Sequence, residues 1–319
     1  PLRAFWPCSF DLARTSDVST QVVNANLLWI PSKDLTVLMG FRYTHDDKHS
    51  NAVFLAFEAG DNGVTPDPQP SQAETWATFD RFGERLELRY TGFVHWLFYA
   101  QSEWEQDYGS NHERETGTLE ENPVDKDTSF LQRKYTVGSN WYPMTMLNLS
   151  AQYYHKIAEH DNDILSGDHQ RLLGQVWNTD DFNIRITCNP KIPAKLGTLS
   201  LVSRYDFTRT TIDGQWFFEG TTLNNLQSGE ITKHVVTESI TWNPLARLYL
   251  QANPSYVWDQ TDTPASKINL DPLTSPSVLN FSSDYWTVNA GVGYVIDDKT
   301  DVRADYSFYR ADNYVNNAS

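Results

Sequence analysis

Cysteine is nearly absent from this sequence: Cys8 and Cys188 are the two among 319 residues. They form no CxxC pair and no Cys/His cluster. That spacing excludes zinc ribbons, thioredoxin-type motifs and c-type haem attachment, and leaves a bridge between the two open. Long apolar runs are missing as well. No stretch approaches the roughly 18 residues that a membrane helix requires. The best run, Phe93 to Ala100, is short and holds His95. A membrane helix is thereby excluded, but a membrane barrel is not, because its strands need only about 9–11 residues and alternate residues face a polar lumen. Catalytic signatures are absent too: there is no GxSxG, Walker loop, HExxH or GxGxxG. The expectation is a protein that is not an enzyme and carries no cofactor of its own. Bases are scarce, 25 Lys and Arg against 41 acids for a net charge of −16, which argues against nucleic acid as a partner. There is no signal peptide, Pro1 is not an initiator, and the chain closes on polar Asn313–Ser319 rather than on an aromatic strand end. These ends read as those of an internal fragment, or of a chain lacking its closing strand.

What the sequence has in abundance is aromatic residues, 13% of the total, set in a recurring hairpin pattern. Short turns are expected near 31–34, 82–84, 143–146, 189–195, 243–247 and 297–300. Strict alternation flanks them. Leu35, Val37, Met39, Phe41 and Tyr43 oppose Thr36, Gly40 and Arg42; Leu147, Leu149, Ala151 and Tyr153 oppose Asn148, Ser150 and Gln152; Val302, Ala304, Tyr306 and Phe308 oppose Arg303, Asp305 and Ser307. Period two over this many segments is the strand signal. Trp29-Ile30-Pro31, Trp141-Tyr142-Pro143, Cys188-Asn189-Pro190 and Trp242-Asn243-Pro244 close four strands, since proline cannot donate to a ladder. The fold class expected is all-β, an antiparallel up-and-down transmembrane β-barrel in the bacterial outer membrane. It would form one domain, 1–319, or a fragment of a larger barrel. About twelve strands are expected at 19–30, 35–45, 73–81, 85–101, 131–142, 147–158, 180–188, 197–210, 231–242, 247–258, 284–296 and 301–312, with 2–12 and 50–58 adding or extending a strand. A soluble β-sandwich is the competing reading, but its strands are usually nearer 5–6 residues.

Charge is unevenly distributed. The long connections 44–75, 101–127, 155–181, 208–230 and 259–284 hold 28 acids and 7 bases, leaving 13 acids and 18 bases elsewhere. Short turns on the periplasmic side and acidic loops outside would match outer-membrane asymmetry. Strand arginines Arg42, Arg89, Arg185, Arg204 and Arg303 fall on the polar face and are the candidate lumen-lining residues, while Val37, Leu88, Leu149, Leu201, Val288 and Ala304 would face lipid. The arginines either attract anions along a pathway or brace the wall by pairing with Glu87, Asp206 and Asp305. Asp161, Asp163 and Asp168, with His155 and His160 nearby, form a polar loop cluster that could hold calcium, although the spacing matches no EF-hand and a solvated loop is the simpler reading.

The phrases Trp141-Tyr142-Pro143…Leu147-Asn148-Leu149…Tyr153-Tyr154 and Trp242-Asn243-Pro244…Leu248-Tyr249-Leu250 resemble the large MtrB/PioB-like barrels, which sheath a multihaem cytochrome. The amino-terminal CxxC of that group is absent here. The resemblance implies a porin–cytochrome conduit whose haems belong to a partner in the lumen. Three functions therefore stand together: a pore or channel wall, a structural sheath for a multihaem cytochrome, and a surface-loop adhesin or outer-membrane enzyme.

Overall fold

The computed structural model describes residues 13–56, 69–116, 124–164, 171–217, 224–262 and 281–315. Twelve strands form one antiparallel sheet in simple sequence order. They are β1 (Ala13–Ser32), β2 (Leu35–Ala56), β3 (Gln69–Tyr90), β4 (Trp96–Thr116), β5 (Val124–Met144), β6 (Leu147–Ile164), β7 (Arg171–Cys188), β8 (Thr198–Phe217), β9 (Asn224–Leu245), β10 (Leu248–Asp262), β11 (Phe281–Asp297) and β12 (Thr300–Val315). The one helical piece among the described residues is a 3-10 turn, Ala194–Leu196. Strands β1 and β12 are each paired on one side only among the described residues, so the sheet is an open wall.

Two expectations are corrected. No turn lies at 82–84: β3 runs through Gly83, which sits opposite Arg42. A Cβ there would meet nothing closer than 3.8 Å, so the glycine marks open space on a strand rather than a bend. The turn is Thr91–His95, within the stretch expected as strand 85–101. His95 takes a left-handed φ of 66° there. Its apolar residues, Phe93 at 60% and Val94 at 80% exposure, disguise it as strand; at a membrane interface such residues need no core. The long acidic connections are also shorter than expected. Strands extend deep into them, with β2 reaching Ala56 and β4 reaching Thr116. Much of the acid therefore sits on strand extensions. The segment 50–56 extends β2, whereas 2–12 and Cys8 lie outside the described residues.

Direct pairing gives the tilt. A row of opposite residues runs from Val37, third in β2, through Tyr153 on β6 and Phe207 on β8 to Asp312, thirteenth in β12. It climbs roughly ten residues in ten strand-to-strand steps; at about 3.3 Å per residue and 4.8 Å per step, the strands tilt by about 35°. Membrane barrels tilt by roughly 35–45°.

The wall also repeats every four strands. Trp-x-Pro ends β1, β5 and β9, each followed by a two-residue turn and a strand that begins with Leu. The register slips at the same place in all three hairpins, between Trp29 and Ser32, Trp141 and Met144, and Leu248 and Leu250. Proline removes one ladder donor, and an extra residue absorbs the irregularity. Cys188-Asn189-Pro190 stands apart, opening the longer connection between β7 and β8.

The sheet has no core of its own. Val37, Ala158 and Val257 are the buried apolar residues among those described. Directly paired residues share a face, so one side is continuous: Leu27, Met39, Leu86, Leu149, Ile186, Leu201, Ile240, Leu250, Val292 and Ala304. Such an apolar face, edged by Trp and Tyr, is stable only against lipid. The chain is an all-β wall of the outer-membrane barrel type, and it lies in the outer membrane.

Candidate functional site: the polar face

The opposite face carries the candidate site. Arg42, Arg89, Arg185, Arg204 and Arg303 all fall on it, one pleat step from the apolar set that includes Val37, Leu88, Leu149, Leu201, Val288 and Ala304. The five are not equivalent. Arg89 pairs with Glu87 on its own strand. Arg204 Nε lies 2.7 Å from Asp206 and Arg303 Nε 2.8 Å from Asp305. Each partner stands two residues along, the next position on the same face. Arg42 donates instead to Thr44 Oγ1 at 3.3 Å. Arg185 lies directly opposite Arg204, a like-charge pair. Among the described residues, neither Arg42 nor Arg185 has a carboxylate within 4 Å.

A denser ladder runs across β3 to β5, which the sequence reading misses. Arg85 donates to Glu87 at 2.7 Å and to Gln101 at 3.1 Å. Arg81 Nε lies 2.8 Å from Asp107 and 3.3 Å from Glu105, and Lys134 lies 3.5 Å from Glu103. Glu87 is 4% exposed and is gripped from both sides. The signal was the alternation Arg81, Gly83, Arg85, Glu87, Arg89, hidden by treating Gly83 as a turn. Aromatic rings on this face lie flat. A Cβ on Gly138 would fall 2.4 Å from the Tyr99 ring, and one on Gly293 2.0 Å from the Tyr249 ring. Only glycine lets each ring lie against the wall rather than project from it. Tyr99 then donates to Gln152 at 2.9 Å.

The apolar face ends at an outer row of tyrosines tied to the neighbouring strand. Tyr43 and Tyr153 donate at 2.6 Å to Asp80 and Asp180, which also contact His45 and His155; Tyr256 donates to Asp284 at 3.1 Å. Two carboxylates break the apolar pattern below this row. Glu84 lies between Phe41 and Trp104, and Glu238 accepts from Ser203 at 2.7 Å. The suggested calcium loop is not a loop where it is described. Asp161 and Asp163 stand on β6, and Asp168 lies outside the described residues. His155 and Asp161 share the outer face while His160 takes the other. No group of three or more possible metal ligands occurs among the described residues.

No family model and no curated protein matches the chain. It is similar to solved outer-membrane structures at low identity. The translocator domain of autotransporter NalP from Neisseria meningitidis matches at 11% identity and TM-score 0.29, covering 89% of this chain and 88% of that one. OmpT of Vibrio cholerae, in its trimer form, matches at 11% and TM-score 0.34, covering 93% and 100%. FauA, the alcaligin outer membrane receptor of Bordetella pertussis, matches at 9% and TM-score 0.31, covering 95% and 61%. One expectation is corrected here: the absence of the familiar catalytic motifs does not set the chain apart as a non-enzyme, because activity lives in sites grafted on a fold and not in the fold or in a short list of motifs.

Proposed function

We propose that the chain forms the wall of an outer-membrane pore, its polar face lining a water-filled pathway for small solutes. The observation that carries this is the two-faced sheet itself. Twelve strands with an apolar outside and a charged, hydrogen-bonded inside can span a bilayer only around an aqueous or protein-filled lumen. Within it, Arg42 and Arg185 are the guanidiniums left to act on a solute, because Arg89, Arg204 and Arg303 are matched by acids on their own strands. The test is conductance and reversal potential in planar bilayers. Arg42→Gln and Arg185→Gln should each shift the reversal potential toward cation selectivity, and Arg204→Gln should shift it less. Absence of conductance, or equal effects from all three, would remove this reading.

The sheath for a multihaem cytochrome is the second reading, and one feature favours it. A polar face whose ladders are self-neutralised, with rings lying flat, suits a close-fitting protein as well as free ions. Haem absorbance co-purifying in stoichiometric amount would decide for the sheath. The comparisons lend the cytochrome no support. A surface-loop adhesin remains the third reading; no geometry on the described strands favours it.

A further inference from the structure

The polar face is divided by charge. Strands β3 to β5 carry the ladder of Arg81 with Asp107, Arg85 with Glu87 and Lys134 with Glu103. Strands β9 to β11 carry nothing of the kind. Along 235–243, 249–257 and 283–295 the residues on this face are Val, Thr, Ser, Asn, Gln, Tyr and Gly, with no carboxylate, ammonium or guanidinium among them. Such a sector has nothing with which to hold an ion.

Two glycines one face step apart, Gly291 and Gly293, lower the surface between β10 and β12. Each is covered from a different side. The Tyr249 ring lies over Gly293, and Asp305 reaches over Gly291. A Cβ on Gly293 would collide with the ring, and one on Gly291 would fall 2.5 Å from Asp305 Oδ1. What remains is a recess of about 220 Å3 lined by Gln251, Asn253, Asn289, Arg303, Asp305 and Ser307. Drug-sized pockets run to roughly 300–1,000 Å3, so this one suits a single ring of a small solute.

We propose that this recess is a subsite for a neutral saccharide. The donors and acceptors decide the class. Arg303 Nε donates to Asp305 Oδ1 at 2.8 Å, so the pair has no net charge to attract an anion or a cation. It still presents guanidinium N–H groups beside a carboxylate oxygen, a match for two neighbouring hydroxyls, one accepting and one donating. Asn253 accepts from Ser239 at 2.7 Å, which leaves its amide N–H groups to donate. Gln251, Asn289 and Ser307 make no side-chain hydrogen bond among the described residues, and each can both donate and accept. One face step from Gln251, about 7 Å along β10, stands Tyr249, its ring flat on the buried Gly293. The open side of that ring is an apolar plate for the C–H face of a pyranose. The Tyr249 hydroxyl, unlike that of Tyr99, has no hydrogen-bond partner among the described residues. An apolar plate beside groups matched to hydroxyls fits a sugar, and fits neither a bare ion nor a hydrocarbon. The subsite deepens the pore proposal and rests on it in one respect: the polar face must be open to solute.

The experiment titrates glucose and gluconate against the whole chain in detergent micelles, with saturation-transfer NMR to read weak binding. Glucose should bind saturably, and gluconate, its open-chain anion, should bind less well. Tyr249→Ala and Gln251→Ala should each weaken glucose binding about tenfold, roughly the loss of one ring contact or one hydrogen bond. Tyr99→Ala, a flat ring on β4, should leave it unchanged. Absence of saturable glucose binding to the unaltered chain, tighter binding of gluconate, or equal weakening by Tyr99→Ala would overturn the subsite. Conductance of the same preparation in planar bilayers separates it from the pore. Current without glucose binding keeps the pore and removes the subsite; glucose binding without current keeps the subsite and removes the pore.

Discussion

Placing an arginine at Ile240 tests the face assignment where it is least ambiguous. Ile240 is central to the wall, flanked by Leu201 on β8 and Ala252 on β10, on the apolar side and five residues from the end of β9. An apolar band of about 25 Å crossed at the derived tilt takes roughly nine residues of strand, so this position is close to mid-depth. A guanidinium facing lipid there costs about 2–4 kcal/mol, which is a 30- to 700-fold loss, roughly, in the folding equilibrium. Thr241, one residue on, lies between Ser200 and Gln251 on the polar face. Arginine there should cost less than about 0.5 kcal/mol, the usual range for solvated substitutions. The assay is reversible guanidinium unfolding in phospholipid vesicles, with tryptophan emission as the signal. Equal costs, or a larger cost at Thr241, would mean that the two faces are reversed or that no lipid is present on either.

Glu87 offers a second measurement. It is 4% exposed and holds Arg85 and Arg89, so Glu87→Gln should destabilise the wall by about 2 kcal/mol in the same unfolding assay, the range for hydrogen bonds to charged groups, whereas Asp312→Asn, half-exposed beside Arg310, should change it by less than about 0.5 kcal/mol. Orientation is tested by protease added outside intact cells: it should cut between β4 and β5 or between β10 and β11 and spare the turn Thr145–Met146, and the reverse pattern would invert the wall.

Alternation made most of the wall legible in the sequence, because side-chain period in a strand is fixed by the pleat and lipid makes one face uniformly apolar. Leu35 to Tyr43 and Val302 to Phe308 stand where alternation places them. The failures have a physical origin. Glycine at 83 suggests a turn because strands usually exclude it, yet on a face open to water it costs packing with nothing. Phe93 and Val94 suggest a strand because turns are usually polar, yet this turn meets the membrane interface. Strand ends beyond the bilayer were illegible, since both faces there touch water and the apolar signal is lost. The arginine positions were readable, but not their pairing: whether Arg42 has a carboxylate partner depends on what lies two residues along and one strand over, and only the register shows that.

The strand extensions bear on selectivity as much as the arginines do. β3 has 22 residues; at the derived tilt that is about 60 Å of height, more than twice the apolar band. The portion beyond the bilayer buries little apolar surface and is held by ladder bonds and polar pairs such as His49 with Glu74 and Arg209 with Glu230. It is also where acids stand on the polar face, Asp46 on β2, Glu113 on β4, Asp181 on β7 and Asp259 on β10. A solute anion must pass this acidic rim before it reaches Arg42 or Arg185. The rim acts over a Debye length, about 30 Å at 0.01 M salt and 3 Å at 1 M, whereas a guanidinium in contact with the solute is screened far less. The reversal potential should therefore favour cations at 0.01 M and move toward anions as salt rises to 1 M, and Arg42→Gln with Arg185→Gln should abolish that movement at the high-salt end. A selectivity that does not change with salt would show that neither the acidic extensions nor the unpaired arginines face the conducting path.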